Sequence, residues 1–174
     1  MNTVIEAMLK RRSCRSYKSE QIKNSELDEI LLAGTYAASG MGKQAAKIVA
    51  VQDRETIEIL RKMNAGILGN PNADPFYGAP TVCVVLADPN VSTWAEDGAL
   101  VLGNLMLAAS SLGIGSCWIH RAREEFDSPE GKALLKKWGI PEQYRGIGHC
   151  ILGYAAQPAS PAGARKADFI KIVK

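Results

Sequence analysis

Residues 11–15 read Arg11-Arg12-Ser13-Cys14-Arg15, which places three guanidiniums and one hydroxyl side by side after a predicted amphipathic helix. Guanidinium groups bind phosphate oxygens through paired, charge-assisted hydrogen bonds, and a serine hydroxyl adds one more donor. The alternative interpretation is a basic helix end that interacts only with solvent and with the helix dipole. A second cationic pair, Arg165-Lys166, lies near the C-terminus and could contact the same anion. Together the two clusters predict a binding site for one phosphate group at a helix-to-loop junction.

Length and composition indicate a single globular domain over residues 1–174. A chain of 174 residues can bury most of its apolar surface, and its charged fraction of 22% is typical of an ordinary globular protein. The net charge of +3 is too small to favour nucleic acid as a partner. No apolar run is long enough to span a bilayer, and the N-terminus does not resemble a signal peptide. We therefore expect a cytoplasmic protein without a membrane or nucleic-acid partner.

The side chains that usually bind metals or act as nucleophiles are sparse. The cysteines form no C-x-x-C pair, which favours neither a zinc site nor a thioredoxin-type site and fits a reducing compartment. The only histidines are His120 and His149, so no metal site is expected. No G-x-S-x-G motif is present, and no catalytic side chain is predicted. A phosphate site without a reactive side chain favours a cofactor that carries the chemistry itself.

Hydrophobic patterning predicts an α+β fold with a mainly antiparallel sheet. The longest predicted element is a helix over residues 94–112, which is apolar on all sides and therefore expected to be buried, in part against a second subunit. Residues 157–174 are expected to form an extended tail that ends in a strand and packs on a neighbouring subunit. Strands are predicted over residues 48–51, 81–87, 116–120, 150–153 and 169–173.

A glycine-rich loop follows the second predicted helix. Gly40-x-Gly42-x-x-Ala45 matches the dinucleotide-binding fingerprint by its letters, but it lies between a helix and a strand, where the fingerprint requires a strand before it and a helix after it. We therefore reject a Rossmann-type site. Two interpretations stay open: a plain turn, or a loop whose missing side chains let a ligand ring lie close to the backbone.

The chain resembles the flavin-dependent nitroreductases of the FMN-binding oxidoreductase superfamily. The motifs that carry this resemblance extend over essentially the whole chain, and the first and third together are the most specific. They are residues 11–17 (RRSCRSY), 38–44 (ASGMGKQ), 113–119 (GIGSCWI) and the pair Arg165-Lys166 before the C-terminal strand. The resemblance implies a mixed sheet flanked by helices, an intertwined homodimer with an exchanged C-terminal strand, and two FMN sites at the subunit interface.

The resemblance also implies roles for individual residues. The FMN phosphate would be held by Arg11, Arg12 and Ser13, with Arg165 and Lys166 closing on it. Arg15 would contact the flavin ring near N1 and O2, and the backbone of Ile119, His120 and Arg121 would lie near N5 and O4. Asn72 or Asn70 would hydrogen-bond the pyrimidine. The partner subunit would cover the ring with Ala38, Ser39, Gly40 and Gly42.

The implied activity is an oxidoreductase reaction. NADH or NADPH would give hydride to flavin N5, and a nitroaromatic, a quinone or a similar flat acceptor would then be reduced in a ping-pong cycle. Gly42 and the pair His120-Arg121 depart from the residues common in the family, which leaves the acceptor open. Two alternatives also stay open: a non-catalytic flavin- or nucleotide-binding protein, and a specialised flavin enzyme of the same fold with one metabolite substrate.

Overall fold

The structure, a computed structural model, describes residues 2–174. Its secondary-structure elements alternate without a strict βα repeat, as the sequence predicts. In chain order they are α1 (Thr3–Lys10), α2 (Asn24–Thr35), β1 (Ala46–Val51), α3 (Arg54–Ile67), β2 (Thr81–Ala87), α4 (Trp94–Ser111), β3 (Gly115–Ile119), α5 (Ala122–Asp127), α6 (Pro129–Lys137) and β4 (Arg145–Gly153). The α+β class is confirmed.

The four strands form one sheet in the order β1-β2-β4-β3, and every neighbouring pair is antiparallel. The central strand β2 is buried along its whole length. This burial explains why its sequence is apolar throughout, because a strand covered on both faces does not alternate between apolar and polar residues. The predicted short strand over residues 150–153 is the end of a longer strand, β4.

Helices cover both faces of the sheet, so the domain has three layers. Side chains of β2 alternate between two hydrophobic clusters: Val82 and Val84 face α3, α5 and α6, whereas Cys83 and Val85 face α2 and α4. The buried residues of helix α4, among them Val101, Leu102 and Leu105, lie on one face of the helix, and Leu100 is 49% exposed. The single chain therefore does not bury this helix on all sides, although its sequence predicts such burial, and burial of the remaining surface against a second subunit stays a prediction. No helix among residues 2–174 combines the length and apolar character that crossing a membrane requires.

The tail differs from the prediction in one respect. Residues 169–173 were expected to form a strand, but they form none within this chain, and the apolar side chains of Phe169, Ile170, Ile172 and Val173 are 71–88% exposed. On the β3 side of the sheet, residues 13–17 already occupy the edge that the tail could pair with. The predicted strand was expected to pair with a neighbouring subunit, so it stays a prediction.

Candidate functional site

The arginine-rich segment runs along the edge of the sheet in an extended conformation. Ser13 forms a parallel bridge with Ser116 of β3, and the Cys14 amide donates to the Ser116 carbonyl at 2.8 Å. Four residues later, Tyr17 pairs with Ala155, just beyond the end of β4. The segment leaves α1 at Arg11 and then behaves as a short additional edge strand, which fixes the position of each of its side chains.

Gly115 lets this segment approach β3 closely. A Cβ atom at residue 115 would lie 2.9 Å from Cys14 Sγ and 3.1 Å from the carbonyl oxygen of Gly153, closer than real side chains pack. Tyr17 holds the segment from the other side, because its hydroxyl donates to the Cys14 carbonyl at 2.8 Å. Burial raises the pKa of Tyr17, so the phenol stays a neutral donor over the physiological pH range.

A cavity of 350 Å³ opens between this segment, the end of α4 and the start of the tail. Its cationic side chains are Lys10, Arg12 and Arg15, and no carboxylate is among the residues that line it. Ser13 and Arg15 are exposed, and the Arg15 guanidinium makes no hydrogen bond or ion pair within residues 2–174. An unpaired set of cations and a hydroxyl in one concave site can bind an anion such as a phosphate ester.

The Arg12 guanidinium serves two purposes at this site. Its Nη1 donates to the carbonyl oxygens of Leu9 and Arg11, both at 2.7 Å, and so caps the C-terminal end of α1. Its Nε is buried and has no partner among the described residues. A buried donor without an acceptor is costly, so this nitrogen fits a cavity that holds an anionic ligand. The donors present therefore fit a phosphate group.

The other cations predicted to contact the phosphate do not line this cavity in the single chain. Arg11 is half-buried and close enough to the sheet for its charge to oppose the rise in the pKa of Cys150 that burial causes. Arg165 and Lys166 are exposed farther along the tail, whereas tail residues 157–160 line the cavity in their place. Asn70 and Asn72 are exposed in the turn after α3 and do not line it either.

The glycine-rich loop lies at a different place. Ala38 and Ser39 line a second cavity of 390 Å³, which shares no lining residue with the first. Gly40–Gly42 forms a 3₁₀ turn tied to α4, because the Gly40 amide donates to Asp97 Oδ1 at 3.0 Å. A Cβ at residue 40 would collide with Thr93, so this turn requires glycine. Within one chain the loop and the arginine segment are therefore separate.

The backbone at the end of β3 is held in an unusual conformation. Ile119 is buried, His120 is exposed, and Arg121 adopts the left-handed conformation with φ 79°. The His120 carbonyl accepts a hydrogen bond of 2.8 Å from Asn64 of α3. Sequence reasoning did not identify Asn64 as a functional residue, and the available signal was a polar residue on the apolar face that Leu60 and Met63 define.

Two of the cysteines and one of the histidines are fully buried. Burial raises the pKa of the Cys83 thiol to about 12 and that of Cys150 well above its usual value, so neither thiol forms a thiolate at neutral pH. His149 is fully buried and contacts Glu125, whereas His120 is exposed. Over residues 2–174 no cluster of histidine, cysteine and carboxylate side chains has the arrangement of a metal site.

Comparisons with known proteins agree with this architecture. A crystal structure of a nitroreductase with bound FMN from Bacteroides fragilis NCTC 9343 is 34% identical over the full length of both chains, with a TM-score of 0.92. A nitroreductase with bound FMN from Desulfitobacterium hafniense DCB-2 is 27% identical over the same extent, with a TM-score of 0.90. An FMN reductase [NAD(P)H] of Bacillus subtilis strain 168 is 29% identical over 94% of this chain and 72% of its own length.

The match to the family extends over most of the domain. The family model described as the nitroreductase family aligns with residues 8–154, which include the arginine segment, the glycine-rich loop and all four strands. Only the N-terminal end of α1 and the tail after residue 154 lie outside it. The chain belongs to the nitroreductase family.

Proposed function

We propose that this protein is an FMN-dependent oxidoreductase that takes reducing equivalents from NADH or NADPH and passes them to a small flat acceptor. The observation that carries the proposal is the cavity beside residues 12–16, which holds three cations and no carboxylate and leaves the buried Arg12 Nε without a partner. The FMN-bound relatives and the NAD(P)H-dependent FMN reductase support the identity of the cofactor and the reductant.

Bound FMN would supply the chemistry, because its ring accepts electrons from a nicotinamide and gives them to an acceptor. The residues of this chain would bind and orient it. Arg12 Nε and the Ser13 hydroxyl would donate to the phosphate, joined by Arg11. Arg15, whose guanidinium has no protein partner, would lie at the pyrimidine edge, where a cation stabilises negative charge.

The remaining contacts follow from the placement of the other segments. The backbone of Ile119, His120 and Arg121 would face the central part of the ring. The loop with Ala38, Ser39, Gly40 and Gly42 would cover the ring of the partner subunit, which agrees with its separation from the arginine segment within one chain. Arg165 and Lys166 would close on the phosphate once the exposed tail is held in place.

We expect the purified protein to contain FMN. The cationic cavity of 350 Å³ accommodates one phosphate group, which FMN carries, whereas FAD carries a pyrophosphate and an adenosine. Heat denaturation followed by chromatography of the released flavin identifies it, and anaerobic addition of NADH or NADPH should bleach the flavin absorbance. Released FAD would contradict the cofactor assignment, and a yellow protein that neither nucleotide bleaches would favour a non-catalytic flavin-binding protein.

A ping-pong cycle with nitroaromatic or quinone acceptors is the corresponding kinetic proposal. The reductant and the acceptor would use the same face of the ring in turn, and no side chain of the cavity would need to act as an acid or base. Initial-rate plots at several acceptor concentrations should give parallel lines. Turnover confined to one metabolite would instead identify a specialised enzyme.

We propose that the active form is a homodimer. Helix α1 has no buried side chain, and Val4, Met8 and Leu9 are 55–58% exposed, while the tail exposes four further apolar side chains. Exposed apolar surfaces of this kind are typical of a protein interface. In a two-fold symmetric dimer, both subunits would bury the same surfaces against each other.

Deletion of residues 168–174 tests this assembly. The deletion should weaken both dimerisation and FMN content, because the tail would lose its apolar contacts with the partner while both cationic clusters remain. Sedimentation velocity and flavin content, measured on the same sample, provide the readout. Lys171→Ala, which leaves the apolar tail side chains intact, is the matched control, and a truncated monomer with stoichiometric FMN would refute the shared site.

A further inference from the structure

A polar cluster lies inside the hydrophobic core, directly behind the end of β3. Its members Asn64, Glu125 and His149 are all fully buried and come from α3, α5 and β4. The aromatic rings of Phe76 and Phe126 pack around His149. We call Asn64, Glu125 and His149 the buried polar cluster. Burying a polar group costs free energy unless the group forms a hydrogen bond, so the contacts of this cluster indicate what it does.

Both the nitrogen and the oxygen of the Asn64 side-chain amide form hydrogen bonds with the segment that follows β3. Its Nδ2 donates to the His120 carbonyl at 2.8 Å and also to the carboxylate of Glu125. Its Oδ1 accepts from Arg121 Nε at 2.9 Å. Since a guanidinium can only donate, this contact fixes which end of the amide is the oxygen. One side chain therefore holds the residues on both sides of the 120–121 peptide bond.

Glu125 and His149 hold Asn64 in turn. His149 Nε2 lies 3.0 Å from each oxygen of Glu125, and His149 Nδ1 has no partner among the described residues. The tautomer with its proton on Nε2 leaves no buried N–H without an acceptor, so His149 donates to Glu125. The carboxylate then accepts from both Asn64 and His149. This arrangement anchors Asn64 to β4, the longest strand of the sheet.

The segment that Asn64 holds is strained. Arg121 has φ 79° and ψ 1°, a conformation that L residues other than glycine adopt rarely. Such outliers persist when the surroundings fix them, and they concentrate at functional sites. Asn64 of the buried polar cluster contacts both the side chain of Arg121 and the preceding carbonyl.

We propose that Asn64 is a positioning residue for the flavin: by holding the His120 carbonyl and Arg121, it fixes the direction of the peptide groups that end β3 against the ring. The proposal rests on the proposed function, because it assigns that peptide to the ring of FMN. Fixed N–H dipoles and the tethered Arg121 charge favour the reduced flavin, which carries more negative charge than the oxidised form. Loss of the tether should therefore make the bound flavin harder to reduce.

Asn64→Leu removes all three hydrogen bonds of the amide while keeping the branch at Cγ. We expect FMN to remain bound, but the preference for reduced over oxidised flavin should fall about tenfold, which corresponds to a midpoint potential lower by about 30 mV for a two-electron couple. Spectroelectrochemical titration of the holoenzyme measures this shift. The visible absorption of the oxidised flavin should change as well, since the polar contacts at the ring are altered.

Thr56→Val is the matched control, because Thr56 is also buried on α3 and its hydroxyl bonds only Asp53, at the opposite end of the helix. It should destabilise the protein without moving the potential. Should Asn64→Leu fail to fold, Asn64→Ala removes the same three hydrogen bonds without adding bulk and should shift the potential in the same direction.

The outcomes separate this inference from the proposed function. An Asn64→Leu or Asn64→Ala protein that binds FMN with the wild-type potential and spectrum overturns the positioning role alone. A shift of the same size in Thr56→Val also overturns it, because the effect would then follow from general destabilisation. A wild-type protein that takes up no FMN overturns both proposals.

Discussion

Arg15→Ala is expected to weaken FMN binding by roughly tenfold to hundredfold. The guanidinium is exposed on the wall of the 350 Å³ cavity and makes no hydrogen bond or ion pair within residues 2–174, so all of its donors are available to the cofactor. Loss of one charge-assisted contact costs about 1.5–3 kcal/mol, which is the origin of the expected factor. Titration of the apoprotein with FMN, followed by quenching of flavin fluorescence, measures the change.

Lys136→Ala and Lys137→Ala are the matched controls for this experiment. Both lysines are exposed at the end of α6, carry the same charge as Arg15 and lie outside the cavity. Their removal should leave FMN affinity within about twofold of wild type, since exposed charges at a distance are screened by salt. Equal losses for Arg15 and the two lysines would show that only net charge matters and that residues 11–15 form no specific site.

Gly146→Ala is expected to cause a large loss of stability. Gly146 lies in β4 where α5 crosses the sheet, and an added Cβ would overlap the backbone carbonyl of Ala122. Because the obstacle is backbone, no side-chain rotation relieves it, and α5 must move away from β4. We expect a loss of about 3 kcal/mol or more in the free energy of unfolding. Urea denaturation at one fixed protein concentration is the appropriate measurement.

Gly66→Ala is expected to increase stability, in contrast to Gly146→Ala. Gly66 lies near the end of α3, and a Cβ there would meet no atom within 4 Å. Alanine favours the helical conformation more than glycine does, so this variant should gain up to about 1 kcal/mol. If Gly146→Ala unfolded at the wild-type urea concentration, the close contact between β4 and α5 would be disproved.

The elements that the sequence predicted well are those in which one pattern extends over many residues. Strand β2 matches its predicted range of 81–87, and α4 ends one residue before the predicted boundary. In β2 the continuous apolar character reflects burial along the whole strand, so local sequence contains the information, whereas in α4 only one face is fully buried within the chain. The strand order β1-β2-β4-β3 could not be predicted, because the pairing of β2 with β4 joins residues about 65 positions apart in the chain, such as Cys83 and Cys150.

The candidate site was predicted in its composition but not in its geometry. The residue types at 11–15 indicated an anion site, yet the edge pairing of Ser13 with Ser116 and the capping role of Arg12 depend on tertiary contacts. The buried polar cluster was missed for the same reason. Asn64 and Glu125 look like ordinary polar helix residues until the fold brings them to His149. The tail residues 169–173 have the composition of a strand, but a strand requires a partner that this chain does not offer.

The cavity beside residues 12–16 also has a consequence for the lifetime of the protein in a cell. With Lys10, Arg12 and Arg15 together and no acid among its lining residues, the empty site contains mutual repulsion that only a bound anion relieves. A ligand present at about 100 times its dissociation constant adds about 2.7 kcal/mol to the folded state, a large part of the stability of an ordinary domain. The abundance of the folded protein would then follow the riboflavin supply of the cell. Chains made during riboflavin shortage would lack FMN, would be less stable and would be degraded faster.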